Sequence, residues 1–214
     1  MNKLLRLALL TLLLINFSNV ANSEPVDSEL VYQYVSTKNT KALKELGPGV
    51  MPILAELYVT SDDRQKVKIA NIFKNLVFKS EEARKVLMED IKTDNKDLRI
   101  AVQYALGMVS NDGSVVNALL DNMQYDKNAY FRDKAACSLA YFQAHITDEQ
   151  KVKLYEGLIN GLSSSNRQVR AISLQALKIH TGQTKGFFVN GTATNQSESL
   201  RKWQEWLEEY KSNL

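Results

Sequence analysis

Three segments of the sequence repeat one pattern: an apolar residue, then a cation, then a small residue and a leucine six and seven residues further on. The clearest copy lies between Asn166 and His180, where the apolar residues fall at i, i+3, i+7 and i+8. That spacing places them on one side of an α-helix and predicts a buried stripe with the cation in the first turn. The three copies are Leu98, Arg99, Ala101, Ala105 and Leu106; Phe131, Arg132, Lys134, Ser138 and Leu139; and Val169, Arg170, Ile172, Ala176 and Leu177. Their arginines are 33 and 38 residues apart, a period typical of stacked helix pairs.

The composition agrees with a helical array. Hydrophobic residues make up 44% of the chain, with only nine glycines and three prolines, so the chain can form long helices around a core. Helix starts are also visible: Thr147 followed by Gln150 is a capping-box pattern. We expect an all-α fold in which 24–46 is an amino-terminal capping helix, 47–181 is an array of about four helix pairs, and 182–214 is a loop and a closing helix.

The first residues have the plan of a secretory signal peptide. Lys3 and Arg6 precede an apolar run that ends near Ile15, and small residues follow at Ala21 and Ser23. Such a run is short for a membrane span, which predicts cleavage after Ser23 and a periplasmic or secreted protein without a membrane anchor; an uncleaved amino-terminal anchor is the alternative. Loss of the leader, 1–23, leaves 25 basic and 24 acidic residues, a balance that gives no general attraction to phosphate backbones.

Residues that carry catalytic or metal chemistry are scarce and scattered. The two histidines, His145 and His180, lie at predicted helix ends, far from the single cysteine, Cys137, which has small neighbours and reads as a packing residue. No phosphate-binding glycine loop or nucleophile motif occurs. We therefore expect a protein that is not an enzyme and that holds no metal and no cofactor.

Polar residues at the predicted turns suggest a structural role. We pair Asp97 with Arg99, Asn166 with Arg167 and Arg170, and Asp63 with Lys66 or Lys68. Since the planar guanidinium donates several hydrogen bonds at once, these residues are expected to link neighbouring helix pairs.

The repeated pattern resembles that of HEAT repeats of the short bacterial type. The resemblance covers residues 48–210 and includes the ending Leu177 to Gln183 with Gly186, Phe187, Trp203 and Trp206, which is similar to the carboxy-terminal segment of such arrays. It implies a right-handed α-solenoid whose second helices line a concave face, in a family whose members mostly bind other proteins. Lys134 in the third pair and a shifted frame in the first depart from the pattern.

Four residues are candidates for binding a partner. Counted from the apolar residue before the arginine, positions three and seven face away from both neighbouring pairs in an idealised array; these are Ile100 and Tyr104, and by the nearest register Ile69 and Phe73. Apolar residues at positions that the fold leaves open are typical of a binding patch. Burial of all four by residues 24–46 would contradict this interpretation.

The sequence favours a non-catalytic scaffold that holds another protein in the periplasm. An accessory subunit, or a lyase-like protein built on similar repeats, is the alternative, and it would need a cluster of nucleophiles or ligands on the concave face. Nucleic-acid binding would need cations gathered on the second helix of each pair, and the near-neutral charge argues against it.

Overall fold

The computed structural model describes residues 26–214, and the predicted signal peptide lies outside them. Within this range the chain is all-α, as predicted, and no described residue forms a strand. Its helices are α1 (Ser28–Ser36), α2 (Thr40–Glu45), α3 (Val50–Thr60), α4 (Asp63–Leu76), α5 (Glu81–Glu89), α6 (Lys96–Val109), α7 (Gly113–Tyr125), α8 (Ala129–Tyr141), α9 (Asp148–Leu162), α10 (Arg167–Thr181) and α11 (Ala193–Ser212).

Consecutive helices pack in pairs, and every second helix packs on its counterpart in a neighbouring pair. The first helices form the A layer, in which α1 packs on α3 and α3 on α5, and further along the chain α7 packs on α9 and α9 on α11; α5 and α7 of the described residues are not packed on each other in this way. The second helices form the B layer, with contacts of α2 on α4, α4 on α6, α6 on α8 and α8 on α10. The segment predicted as one amino-terminal capping helix thus contains two short helices, one in each layer.

The helices of the B layer begin in the same way. Each is preceded by an aspartate or asparagine whose side chain accepts a hydrogen bond from a backbone amide of the first turn, as at Asp62, Asn95, Asn128 and Asn166. This bond satisfies one of the amides that a helix start leaves without a partner. In the A layer, Thr147 and Gln150 form the predicted capping box at the start of α9.

The two layers enclose one hydrophobic core. Leu106, Leu139 and Leu177, the leucines of the three repeated patterns, are fully buried in it. Burying such a side chain stabilises the fold by roughly 1.5–3 kcal/mol. The predicted stripe is therefore the side of each B helix that faces the interior.

Helix α11 closes the array on α9 with aromatic side chains. Trp203 is fully buried, and Trp206 packs edge-on against Tyr155 with ring centroids 5.2 Å apart. In the loop before α11, Phe187 is buried, whereas its neighbour Phe188 is 65% exposed. No helix within residues 26–214 combines the length and the apolarity needed to cross a lipid bilayer.

Gly107 lies at a close approach between two pairs. A Cβ atom at this position of α6 would overlap the carbonyl oxygen of Phe142, which follows α8, and would lie 2.5 Å from Nε2 of Gln143. The same loop is held to α6 because Ala144 donates its amide to the Gly107 carbonyl, 3.0 Å away. Only a residue without a side chain fits here.

We therefore expect Gly107→Ala to lower the free energy of unfolding by about 2 kcal/mol or more, since the backbone of the packed loop would have to move. Urea denaturation followed by circular dichroism measures this change. Gly113→Ala is the matched control, because a Cβ there would meet only the mobile end of Lys153 at 3.6 Å, and its stability should be unchanged or slightly higher. Equal stability of the two variants would contradict the assignment of Gly107 as a packing constraint.

Candidate functional site

A cation occupies the fourth position of four successive B helices. These residues, which we call the cation series, are Lys66, Arg99, Arg132 and Arg170. Each side chain leaves the first turn of its helix near the connection to the preceding A helix. Their hydrogen bonds reach into the next pair or into the segment that follows, as the sequence predicted for turn residues, although most partners differ from the predicted ones.

Lys66 and Tyr58 converge on Asp90, which belongs to the connection between α5 and α6. Lys66 Nζ lies 2.9 Å from the Asp90 carboxylate, and the Tyr58 hydroxyl donates to the same carboxylate oxygen at 2.8 Å. Burial and this hydrogen bond raise the pKa of the Tyr58 phenol far above its ordinary value. The phenol is therefore a fixed donor that joins the α3/α4 pair to the next one. Asp63, for its part, accepts from Asn95 at 2.8 Å, not from Lys66 or Lys68.

Arg99 forms an ion pair with Asp126 at the α7–α8 connection, not with Asp97. The two side chains are only 8% and 7% exposed, and the guanidinium stacks on the Phe131 ring at 4.2 Å. Burial lowers the pKa of the Arg99 guanidinium from its ordinary value, and the Asp94 carboxylate partly opposes this shift. The pair thus places two complementary charges inside the contact between successive pairs.

Arg132 and Arg170 donate hydrogen bonds to backbone carbonyls. Arg132 donates to the Asp126 carbonyl at 2.6 Å and to Oε1 of Gln168, which lies in α10, at 2.6 Å. Arg170 donates to the Ser164 carbonyl at 2.8 Å and to the Val189 carbonyl at 3.1 Å. Each arginine therefore fixes its own turn and also holds the segment that comes next in the array.

Alignment of the B helices on their N-caps corrects the predicted binding residues. In this alignment Ile69 corresponds to Val102 and Phe73 to Leu106, and both are core positions. Ile69 is 1% exposed and Phe73 0%, so the prediction that they line an open patch was wrong. The register was misplaced by two residues because Gln65 stands where the other helices have an apolar residue before the cation. The N-cap Asp62, four residues before Lys66, was the signal that gives the correct register.

Ile100 and Tyr104 lie on the opposite side of α6 and are half-buried. They occupy the fifth and ninth positions of their helix, and the corresponding residues of the other helices are also half-buried or exposed. Together these residues form what we call the B face: Val67, Asn71, Ile100, Tyr104, Asp133, Cys137, Ala171 and Gln175. The structure thus retains two of the four predicted residues on an open surface and adds Val67 and Asn71 in place of the other two.

Tyr104 is held in place at the centre of the B face. Its ring stacks on Phe142 with centroids 4.6 Å apart and an interplanar angle of 28°. Burial raises the pKa of the Tyr104 phenol, and burial together with the nearby Asp133 carboxylate raises the pKa of the Cys137 thiol. At neutral pH both groups are uncharged, so this part of the B face is a weakly polar surface.

One cavity adjoins the cation series, and another adjoins the B face. The larger, about 700 Å³, opens between the α5–α6 and α7–α8 connections, and residues of both signs line it, among them Arg99 and Asp126. The smaller, about 220 Å³, lies at the end of the B face between the α1–α2 connection and α4. We call this smaller cavity the end pocket. Val35, Val67 and Ile72 give it an apolar floor.

The histidines bind backbone carbonyls at the ends of helices. Nε2 of His145 lies 3.0 Å from the carbonyl oxygen of Val77, and Nε2 of His180 lies 2.9 Å from that of Leu139. Both carbonyls belong to helix ends, whose last carbonyl groups have no partner within the helix. Between residues 26 and 214, no three histidine, cysteine, aspartate or glutamate side chains are grouped so that they could hold a metal ion.

The Arg99–Asp126 pair should make a large contribution to stability. We expect Arg99→Met to lower the free energy of unfolding by about 3–5 kcal/mol, because it leaves the Asp126 carboxylate buried without a partner. Adding Asp126→Asn should recover part of this loss. Chemical denaturation of the three proteins measures both effects.

Arg201→Ala is the control, since Arg201 and Glu205 form a pair that is 61% exposed on both sides. This substitution should lower the free energy of unfolding by less than about 0.5 kcal/mol. A similar small effect for Arg99→Met would show that the buried pair does not hold successive helix pairs together.

The Cys137 thiol should be poorly reactive in the folded protein. Because its raised pKa keeps the thiolate fraction low and its side chain is half-buried, we expect the reaction with a chromogenic disulfide at pH 7 to be about tenfold slower than after unfolding in guanidinium. The rate in the folded protein should rise with pH beyond the range where an ordinary thiol is fully ionised. Equal rates for the folded and unfolded chains would contradict the burial of this thiol.

Comparison with protein families and curated proteins identified no relative of this chain: no protein-family model matches it, and no curated protein is significantly similar to it in sequence. The resemblance to HEAT repeats therefore rests on the residues of the chain itself. The surfaces of the described residues are the basis for a proposed function.

Proposed function

We propose that this protein is a non-catalytic scaffold of the periplasm that holds another protein on its B face. In this proposal the helices form a right-handed α-solenoid of about four HEAT-like pairs with a capping element at each end, and the B face is its concave side. Export follows from the leader, which is cleaved after Ser23. The protein needs no cofactor, and its partner is a protein.

The packing order supports a solenoid. The B helices pack on one another in unbroken order from α2 to α10, and buried residues of both layers belong to one hydrophobic core. Repeats that contact only their neighbours form extended surfaces, and such surfaces are suited to binding proteins. The capping of the last pair by Trp203 and Trp206 agrees with this arrangement.

The observation that carries the function is the pair Ile100 and Tyr104. The core uses other sides of α6 and the cation series uses its first turn, so Ile100 and Tyr104 stay half-buried, with the Tyr104 ring stacked on Phe142. Their partial exposure at the centre of the B layer gives a partner an apolar contact area. Tyrosine in particular contributes strongly to protein interfaces, because its ring buries a large area at low entropic cost.

A crosslinking pull-down tests this function. The full-length chain, expressed in a Gram-negative host, should be recovered from the periplasmic fraction with Glu24 as its first residue. We expect the wild-type chain to capture a partner and Ile100→Ser to reduce that capture about tenfold.

Val59→Ser is the matched control, because Val59 is 60% exposed but lies in α3 of the A layer. This variant should capture the partner as the wild-type chain does. Equal capture by the Ile100 and Val59 variants would overturn the assignment of the B face.

A further inference from the structure

The two layers carry opposite charge. The B helices contain thirteen lysines and arginines and four acidic residues. The A helices contain seven lysines and arginines and thirteen acidic residues. The whole chain is nearly neutral, with a formal charge of +3, so this separation becomes visible only when the helices are sorted into layers. An unequal distribution of this size attracts an anionic partner to one side of the molecule.

The cations of the B layer have two distinct roles. Three of its arginines, Arg99, Arg132 and Arg170, are bound to Asp126, to Gln168 or to backbone carbonyls. The charges left free for a partner are therefore mainly lysines. This distinction bears on the partner, because planar arginine side chains are the residues best suited to phosphate recognition.

The end pocket combines this charge with an apolar floor. Lys38 and Lys68 stand at its rim, and its lining contains no acidic and no aromatic side chain. Within residues 26–214 neither lysine forms a salt bridge; Lys68 Nζ lies 3.2 Å from Oε1 of Gln65. Two lysine charges beside the aliphatic side chains of Val35, Val67 and Ile72 thus remain available to a ligand.

We propose that the end pocket, which lies at one end of the B face, binds an acidic protein segment that inserts an aliphatic side chain beside its carboxylates. The inference rests on the proposed function and names the partner chemistry for the same surface. The aliphatic floor fits a leucine or isoleucine side chain, and the two lysines fit the flanking carboxylates. A single-stranded nucleic acid is less well matched, since bases bind by stacking on aromatic rings and the end pocket has none.

Fluorescence anisotropy with defined probes tests this proposal on the mature chain. The main probe is a fluorescein-labelled peptide in which leucines alternate with pairs of glutamates. The comparison probes are the same peptide with glycine for leucine, the same peptide with lysine for glutamate, and an oligothymidylate of similar charge. We expect the acidic leucine peptide to bind, with affinity that falls steeply in about 0.5 M salt, and each other probe to bind about tenfold more weakly.

The double variant Lys38→Glu with Lys68→Glu should lose about tenfold in affinity for the acidic leucine peptide. Lys85→Glu, which changes an exposed lysine of α5 in the A layer, is the matched control and should keep the affinity within about twofold. Thermal unfolding of both variants should follow that of the wild-type protein. If the double variant unfolds early, Lys38→Gln with Lys68→Gln replaces it, with a smaller loss expected.

Four outcomes would overturn the proposal: no binding of the acidic leucine peptide, equal binding of the lysine or glycine peptide, tighter binding of the oligothymidylate, or equal affinity of the double variant and the control. The proposed function is judged separately. If the pull-down depends on Ile100 but not on Lys38 and Lys68, the scaffold function stands and the acidic-partner inference fails.

Discussion

The structure depends on a charged side chain in the first turn of each B helix from α4 to α10. A helix start and the turn before it leave backbone groups without partners, and successive pairs must also be fixed against each other. Lys66 and Arg99 meet the second need through carboxylates of the next pair, whereas Arg132 and Arg170 bind both their own connection and the segment that follows. Each member uses a different acceptor, which shows that the position of the cation matters more than the identity of its partner.

This arrangement decides which surface remains open. The apolar stripe occupies the interior side of each B helix, and the cation series occupies the first turn. The fifth and ninth positions are then half-buried or exposed, and they form the B face. At these positions Tyr104 lies near Asp133 and Cys137, a mixture of residues that core packing alone would not require. The chemistry of that face is therefore the best guide to a partner.

The charged residues are distributed unequally between the A and B layers. A near-neutral total conceals thirteen cations on the B helices and thirteen anions on the A helices. The sequence argument against nucleic-acid binding used the total charge, which does not describe how charge is divided between the two layers. The relevant quantity is the field at one surface, where nearby charges are screened little and distant ones strongly.

The sequence by itself determined the all-α fold, the buried leucines, the capping box at Thr147 and most of the helix starts, because these follow from local hydrogen bonding and from the 3.6-residue period. It did not determine the register of α4, where Gln65 interrupts the apolar pattern and Ile69 and Phe73 were consequently assigned to the wrong side. The tertiary structure alone decided that Arg99 pairs with Asp126, that Phe188 is exposed, and that the α1–α2 connection forms a pocket against α4. Periodicity indicates which side of a helix is buried, but the partner of each side chain depends on helices that are distant in sequence and adjacent only after packing.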